Sequence, residues 1–206
     1  MNRSQINQYF KVFRKEINFP LTILLTGAAA GSLMGRVRPT LDIDFAVISP
    51  KASLKKKQNI WNQVEHAAKQ ATQATGIAAN FTEDIDRWSM IHFLDYKKHT
   101  KLYRRFGRLE VRILSPEYWA IGKFARYLDP DVQDLIAVLK RNRVGLPKLT
   151  RLLGNALRKS PRSTSQFLFR RQVEHFLKTY GARVWGKRFS SDRALQHFYG
   201  SARIPL

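Results

Sequence analysis

The stretch "LTILLTGAAAGSLMGRVRPTLDIDFAV" (residues 21–47) contains the pattern that decides the predicted fold. In its last part, apolar residues alternate with Asp42, Asp44 and Ala46. Side chains two positions apart on a β-strand share a face, so this alternation predicts a strand with an apolar face and with both carboxylates on the other face. Earlier in the stretch, an apolar run ends at Gly27, which predicts a buried strand that leads through a turn into a short helix.

The two aspartates need a physical explanation, because carboxylates on one strand face repel each other and Asp is depleted in strands. A divalent cation offsets this repulsion, since Mg²⁺ binds one or two carboxylates and completes its coordination with phosphate oxygens. The alternative is an edge strand on which Asp42 and Asp44 are simply solvated. Gly27 favours the metal site, because free backbone N–H groups at a strand-to-helix turn bind phosphate.

The rest of the chain predicts an α+β fold with a helical C-terminal part. Helices are predicted at residues 4–17, 53–76, 116–128 and 130–142, and two strands, joined by a basic loop, at 87–96 and 106–114. We expect a core of residues 1–144 and a basic helical region of residues 145–206, which either binds RNA or packs on the core.

The charge of the chain indicates its partners. Its 206 residues include 37 Lys and Arg against 15 Asp and Glu, a net charge of +22, and residues 141–206 contain only two of the acids. A surface this basic attracts polyanions such as nucleic acid.

The sequence has no cysteine, which excludes disulfides and thiolate sites. No apolar run is typical of a membrane span or a signal peptide, so we expect a cytoplasmic protein without a membrane partner.

The glycine turn, short helix and Asp-x-Asp strand resemble the signature of nucleotidyltransferases of the DNA polymerase β superfamily. The resemblance is closest to minimal bacterial transferases that include abortive-infection and toxin–antitoxin proteins. The matching residues are Gly27, Ala30, Gly35, Arg38, Thr40 and the Asp-Ile-Asp of residues 42–44. Ala28 stands where the family has a second glycine or a serine.

A second segment, residues 116–139, is similar to a helical segment that lies beside the active site in that family. Lys123 is followed by Asp131 and Asp134, as in the family's Lys…Lys/Arg-Asp-x-x-Asp pattern, although Pro130 replaces the basic residue. The two aspartates either orient Lys123 or only cap helices and form salt bridges. Without the family pattern, Lys123 is equally well explained as a solvated helix residue.

The resemblance implies a polymerase β-like core, a mixed sheet with helices, that transfers a nucleotide from an NTP and releases pyrophosphate. Asp42 and Asp44 are the implied ligands of Mg²⁺ or Mn²⁺. A third catalytic carboxylate is expected at Glu110, with Asp95 as the alternative; a site without a third acid is also open. The implied nucleotide-binding residues are Gly27, Ala28, Arg38, Lys123 and Asp131. Arg38 either contacts phosphate or pairs with Asp42.

RNA is the expected acceptor, because the basic C-terminal part combines phosphate-neutralising side chains with aromatic rings. The predicted RNA-binding residues are Arg158, Lys159, Arg162, Arg170 and Arg171. The toxin relatives imply a tRNA 3′ end as the acceptor and a cognate antitoxin as a partner. Two alternatives stay open: a transferase that modifies a protein, and a non-catalytic nucleic-acid-binding protein on the same fold.

Overall fold

The computed structural model describes residues 1–35, 37–48 and 54–204, which form an α+β fold with a five-stranded mixed sheet. The chain divides into two compact units. The first consists of Met1–Leu33, Pro39–Ile85 and Thr100–Leu114. The second consists of Met34–Arg38, Asp86–His99 and Ser115–Leu206.

The first unit contains the whole sheet. Its strands are β1 (Leu21–Leu25), β2 (Asp42–Ile48), β3 (Ala78–Thr82), β4 (Thr100–Phe106) and β5 (Leu109–Leu114). Their order in the sheet is β3-β2-β1-β5-β4. The central strand β1 is antiparallel to β2 and parallel to β5. At the two edges, β3 is parallel to β2 and β4 is antiparallel to β5. The helices before β4 are α1 (Arg3–Phe13), α2 (Gly27–Met34) and α3 (Leu54–Thr75).

Alternation along the strands gives the sheet one strongly apolar face. Phe45 of β2 is fully buried on this face and contacts Phe10 and Phe13 of α1, with ring centroids 6.1 and 5.8 Å away. Phe81 of β3 stacks on Phe45, and Trp61 of α3 packs against Phe81. Since α1 and α3 pack on this face, the side chains of Asp42 and Asp44 point to the opposite face.

The second unit is helical. Its long helices are α4 (Pro116–Arg126), α5 (Asp129–Arg141), α6 (Leu146–Lys159), α7 (Thr164–Trp185) and α8 (Ser191–Ala202). Phe124 of α4 packs edge-on against Phe169 and Phe176 of α7, and all three are fully buried. Helices α6 and α8 approach closely at Gly154, where a β-carbon would lie 2.7 Å from the carbonyl oxygen of Phe198.

The structure corrects the predictions in the middle of the chain. The strand predicted at residues 87–96 is wrong, because this segment hydrogen-bonds to side chains instead of to a neighbouring strand. The backbone N–H of His92 donates to Ser160 Oγ, and that of Phe93 donates to Asp86 Oδ1. The predicted basic loop instead forms most of β4, and β3 was not predicted. The helices around residues 116–126 and 129–141 match the prediction.

Candidate active site around Asp42 and Asp44

Asp42 and Asp44 lie on one face of β2, as the alternation predicts, and both are half-buried. β2 pairs with β1 on one side and with β3 on the other, so it is an interior strand. The alternative of two solvated aspartates on an edge strand is therefore wrong. An interior position keeps the two carboxylates at a fixed spacing, because the backbone of β2 is hydrogen-bonded on both sides.

Gly27 packs closely on the carboxylate of Asp44. β1 ends at Leu25, the N–H of Thr26 donates to the carbonyl oxygen of Asp44 (2.8 Å), and α2 begins at Gly27. Gly27 has φ +60°, and a β-carbon there would lie 2.0 Å from Asp44 Oδ2. The N-terminal end of α2 is thus directly beside the carboxylate of Asp44. Ala28, the next residue, is buried in the first turn of α2.

Two further residues contact the carboxylates, and neither contact was predicted. Asn80 of β3 is in register with Asp44, and its amide nitrogen donates to Asp42 Oδ2 (3.2 Å) and to Asp44 Oδ1 (3.0 Å). Thr40 donates its hydroxyl to the carboxylate of Asp42. The contact of Asn80 could not be predicted from periodicity, because β3 is short and partly exposed and has no clear alternation of apolar and polar residues. Thr40 belongs to the matched motif but had no assigned role.

The two carboxylates fit a divalent cation that completes its shell with phosphate oxygens, and they do not form a closed protein site. One amide nitrogen donates to both carboxylates, so the two carboxylates are close enough together to share one ligand. Among the residues that the structure describes, no group of three or more His, Cys, Asp and Glu side chains is arranged to hold a metal ion. Mg²⁺ bound through one or two carboxylates and substrate phosphates needs no such group.

Glu110 does not join the pair. It lies on the same sheet face but is in register with Thr22 of β1, which is paired with Ile48 of β2. That position is four residues from Asp44, or about 13 Å along the strand. Instead, Glu110 accepts hydrogen bonds from Arg112 Nη1 (2.5 Å) and from Arg105 Nε (3.2 Å). The hydrogen bond from Arg112 is the main reason why the pKa of Glu110 lies below its ordinary value.

Asp95, the alternative third acid, belongs to the second unit. Its side chain is mostly exposed and lies 3.9 Å from Lys98 Nζ. Its backbone is in the left-handed region, with φ 53°, a conformation that Asp tolerates better than most residues. A turn residue paired with a nearby lysine explains this environment without a catalytic role.

Lys123 is buried in an ion-pair cluster, so the alternative of a solvated helix lysine is wrong. Its Nζ lies 2.8 Å from Asp131 Oδ1 and 2.7 Å from Asp134 Oδ2, and both carboxylates are buried. Arg126 donates two further hydrogen bonds to Asp131. Burial alone would raise the pKa of Asp131, but the hydrogen bonds from Arg126 and Lys123 outweigh it, and the pKa is lowered.

Arg38 is anchored to the same cluster within the second unit. Its backbone N–H donates to Asp134 Oδ1 (3.1 Å), and its Nε lies 3.9 Å from Asp134 Oδ2. The guanidinium group is 41% exposed. Asp134 therefore fixes the backbone of the segment that leads towards β2, while the side chain of Arg38 remains accessible to an anion.

The five predicted RNA-binding residues differ in the exposure of their side chains and in the hydrogen bonds that these side chains already make. Lys159, Arg162 and Arg171 are exposed. Arg158 is half-buried and donates to Asn155 Oδ1 (3.1 Å). Arg170 donates to Glu174 (2.7 Å), and this hydrogen bond is the main reason why the pKa of Arg170 is raised; its guanidinium also lies over the ring of Tyr199. Arg170 is therefore the least available of the five.

Comparison with known proteins identifies no relative of the chain. No protein-family model matches it, and neither a curated protein nor a solved structure is significantly similar to it. In the part of the chain that the structure describes, no helix is both long enough and apolar enough to cross a membrane.

Proposed function

We propose that the chain is a metal-dependent nucleotidyltransferase with a polymerase β-like core, and that it transfers a nucleotide from an NTP to RNA. The contact between Gly27 and Asp44 supports this function most directly. It joins a carboxylate pair to the N-terminal end of a helix, so a cation-binding group and a phosphate-binding group are adjacent. The reaction needs both groups, since its substrate is a triphosphate with bound Mg²⁺.

In this proposal Asp42 and Asp44 hold Mg²⁺ or Mn²⁺ together with the triphosphate oxygens. When bound, the cation supplies Lewis-acid stabilisation of the charge that develops on the phosphate oxygens. Asn80 and Thr40 orient the carboxylates through their hydrogen bonds. They also leave carboxylate oxygens for the cation, because each carboxylate has about four lone-pair sites.

The residues around Gly27 are assigned to the triphosphate. The first turn of a helix has N–H groups without an intrahelical acceptor and carries a partial positive charge. Gly27 and Ala28 are the first residues of α2, so their backbone N–H groups belong to this turn. Glu110 is left out of the proposed site because the sheet register separates it from the carboxylate pair.

RNA is the proposed acceptor because of charge. The net charge of +22 attracts a polyphosphate backbone, and each phosphate that a protein neutralises on a single strand contributes about −0.7 to the slope of log K against log salt. The more specific proposal is that the acceptor is the 3′ end of a tRNA. A toxin function with a cognate antitoxin depends on this acceptor.

The test is incubation with each radiolabelled NTP, Mg²⁺ and total cellular RNA. Wild-type protein is expected to label RNA, and Asp42→Asn and Asp44→Asn are expected to abolish the labelling while thermal stability stays near wild type. Asp192→Asn is the matched control, since it removes an exposed carboxylate of α8. A second readout is the rise in melting temperature with Mg²⁺, which both site variants should lose. Labelling of protein instead of RNA would contradict the proposal that RNA is the acceptor. Activity in either site variant would contradict the assignment of Asp42 and Asp44 to the active site.

A further inference from the structure

The end of α6 and the beginning of α7 form one fixed surface, which we name the α6–α7 corner (residues 158–171). The side chain of Gln166 donates to the carbonyl oxygens of Leu157 (2.8 Å) and Ser160 (3.2 Å), so the first turn of α7 is tied to the last turn of α6. Ser163 caps α7 by accepting from the N–H of Gln166. Side chains from both helix ends are therefore presented together.

Two large apolar side chains of this corner point into solvent. Phe167 is 57% exposed and Leu168 is 48% exposed. The core of the second unit does not need them, because Phe169 and Phe176 of the same helix are completely buried within it. The Phe167 ring is also held in place: the Arg171 guanidinium lies over it, 5.9 Å from the ring centroid.

The corner is purely cationic. It contains five Lys and Arg residues and no Asp or Glu. Arg162 directly precedes Ser163, the cap of α7, and is exposed, as is Phe167 in the first turns of the helix. The first turn of α7 has no acidic residue, so the positive end of the helix dipole is not neutralised from within the helix.

From these contacts we propose that the α6–α7 corner binds single-stranded RNA and that Phe167 is the surface on which a base stacks. This inference rests on the RNA acceptor of the proposed function and names the surface that binds it. An exposed aromatic ring among cations is the combination that single-stranded nucleic acid uses, since the bases stack and the phosphates pair with the cations. A protein partner for the same surface would have to present an acidic, apolar face.

The test uses a fluorescently labelled single-stranded oligoribonucleotide, without NTP or Mg²⁺, and measures its affinity by anisotropy. Phe167→Ala is expected to weaken binding at least fivefold, the lower limit for loss of one stacked base. Leu168→Ala is the matched control, because Leu168 is adjacent and similarly exposed but has no ring; its affinity should stay within twofold of wild type. Phe167→Trp should bind at least as well as wild type. All three variants should keep the wild-type melting temperature, because both side chains are exposed.

The cations give a second measurement. Arg171→Gln should reduce the slope of log K against log salt by about 0.7, the value for one phosphate contact. Arg193→Gln, which removes an exposed cation of α8, should leave the slope unchanged. Equal losses in Phe167→Ala and Leu168→Ala would overturn the proposal, because Leu168 has no ring on which a base can stack. Unchanged affinity in Phe167→Ala would also overturn it.

The binding assay separates this inference from the proposed function. Asp44→Asn should bind the oligoribonucleotide like wild type, since the carboxylates take no part in stacking. If no RNA is ever labelled but Phe167→Ala still loses affinity, the corner is an RNA site on a protein with another activity. If RNA is labelled and Phe167→Ala binds normally, the transferase stands and the corner is not its RNA-binding surface.

Discussion

Gly27 and Asp44 are packed so closely that no side chain larger than hydrogen fits between them. A β-carbon on Gly27 would lie 2.0 Å from Asp44 Oδ2 and 2.9 Å from its carboxyl carbon. The backbone of Gly27 also has φ +60°, in the left-handed region where a β-carbon costs about 1–2 kcal/mol. Glycine is thus required twice at this position, once for the conformation and once for the contact.

Gly27→Ala should therefore lose more than stability. We expect transfer activity to fall about 100-fold, because the alanine methyl must displace the Asp44 carboxylate and a shift of about 1 Å in a catalytic group has an effect of this size. Gly76→Ala is the control: Gly76 has φ +69°, and a β-carbon there would contact nothing within 4 Å. Gly76→Ala should lose about 1–2 kcal/mol in urea unfolding, from the backbone conformation alone, and Gly27→Ala should lose at least as much. Gly76→Ala alone should keep its activity. Equal activities in the two variants would show that the contact with Asp44 is unimportant.

The uncharged amide of Asn80 should stabilise the two neighbouring carboxylates, because it donates a hydrogen bond to each of them. Removing its amide in Asn80→Ala leaves Asp42 and Asp44 to repel each other, with an expected loss of about 1 kcal/mol in the absence of divalent cations. Mg²⁺ should reverse this loss, because the cation neutralises the same pair. Asn62→Ala, at an exposed position of α3, should differ from wild type by the same small amount with and without Mg²⁺. If Asn80→Ala loses the thermal response to Mg²⁺, the amide is a ligand and the assignment is wrong.

Glu110→Gln is expected to keep transfer activity and to lose stability in a pH-dependent way. The pKa of Glu110 in the folded protein lies below its ordinary value, chiefly because of Arg112, so its stabilising effect is complete above the ordinary value. The effect is lost as pH falls through the lower folded value. Wild type should therefore unfold at higher urea than the variant at pH 7, and the difference should vanish at strongly acidic pH. Glu65→Gln, at an exposed position of α3, is the control variant and should change stability at pH 7 by less than about 0.5 kcal/mol. Abolished activity in Glu110→Gln would restore its catalytic assignment.

The carboxylate pair could be predicted from the sequence because it follows from local rules. Period-two alternation put Asp42 and Asp44 on one face, and the strand end at Gly27 put a helix start nearby. Asn80 could not be predicted, because its contact with the pair depends on which strand lies beside β2. That pairing is non-local, and the sequence of β3 has few buried residues to mark it.

The position of Glu110 could not be predicted either, again because it depends on how the strands pair. Its alternation within β5 correctly predicted that it points away from the apolar face, and it shares a sheet face with Asp44. Sharing a face does not imply proximity, since the offset between strands is set by pairing and not by composition. Asp131 and Asp134 were named as possible partners of Lys123, but the burial of Lys123 could not be predicted, because it depends on how the helices of the second unit pack.

The final prediction concerns Lys123, whose buried charge is balanced by Asp131 and Asp134. Lys123→Ala removes the cation and leaves two buried carboxylates partly unbalanced, so the free energy of unfolding should fall by about 3–5 kcal/mol. Lys140→Ala, at an exposed position of α5, should change it by less than about 0.5 kcal/mol. Similar effects of the two variants in urea unfolding would contradict the buried ion pair.

Loss of activity in Lys123→Ala would be ambiguous, because the variant is expected to be unstable. The combination of Lys123→Met, Asp131→Asn and Asp134→Asn removes the buried charges together, and replacing a whole buried charge cluster is often neutral for stability. We expect this triple variant to regain much of the lost stability and to bind NTP and RNA like wild type, because the buried Nζ of Lys123 is already paired with both carboxylates. That result would limit Lys123 to holding α4 and α5 together through its two aspartates. Low NTP affinity in the folded triple variant would instead show that the charged cluster contributes to nucleotide binding.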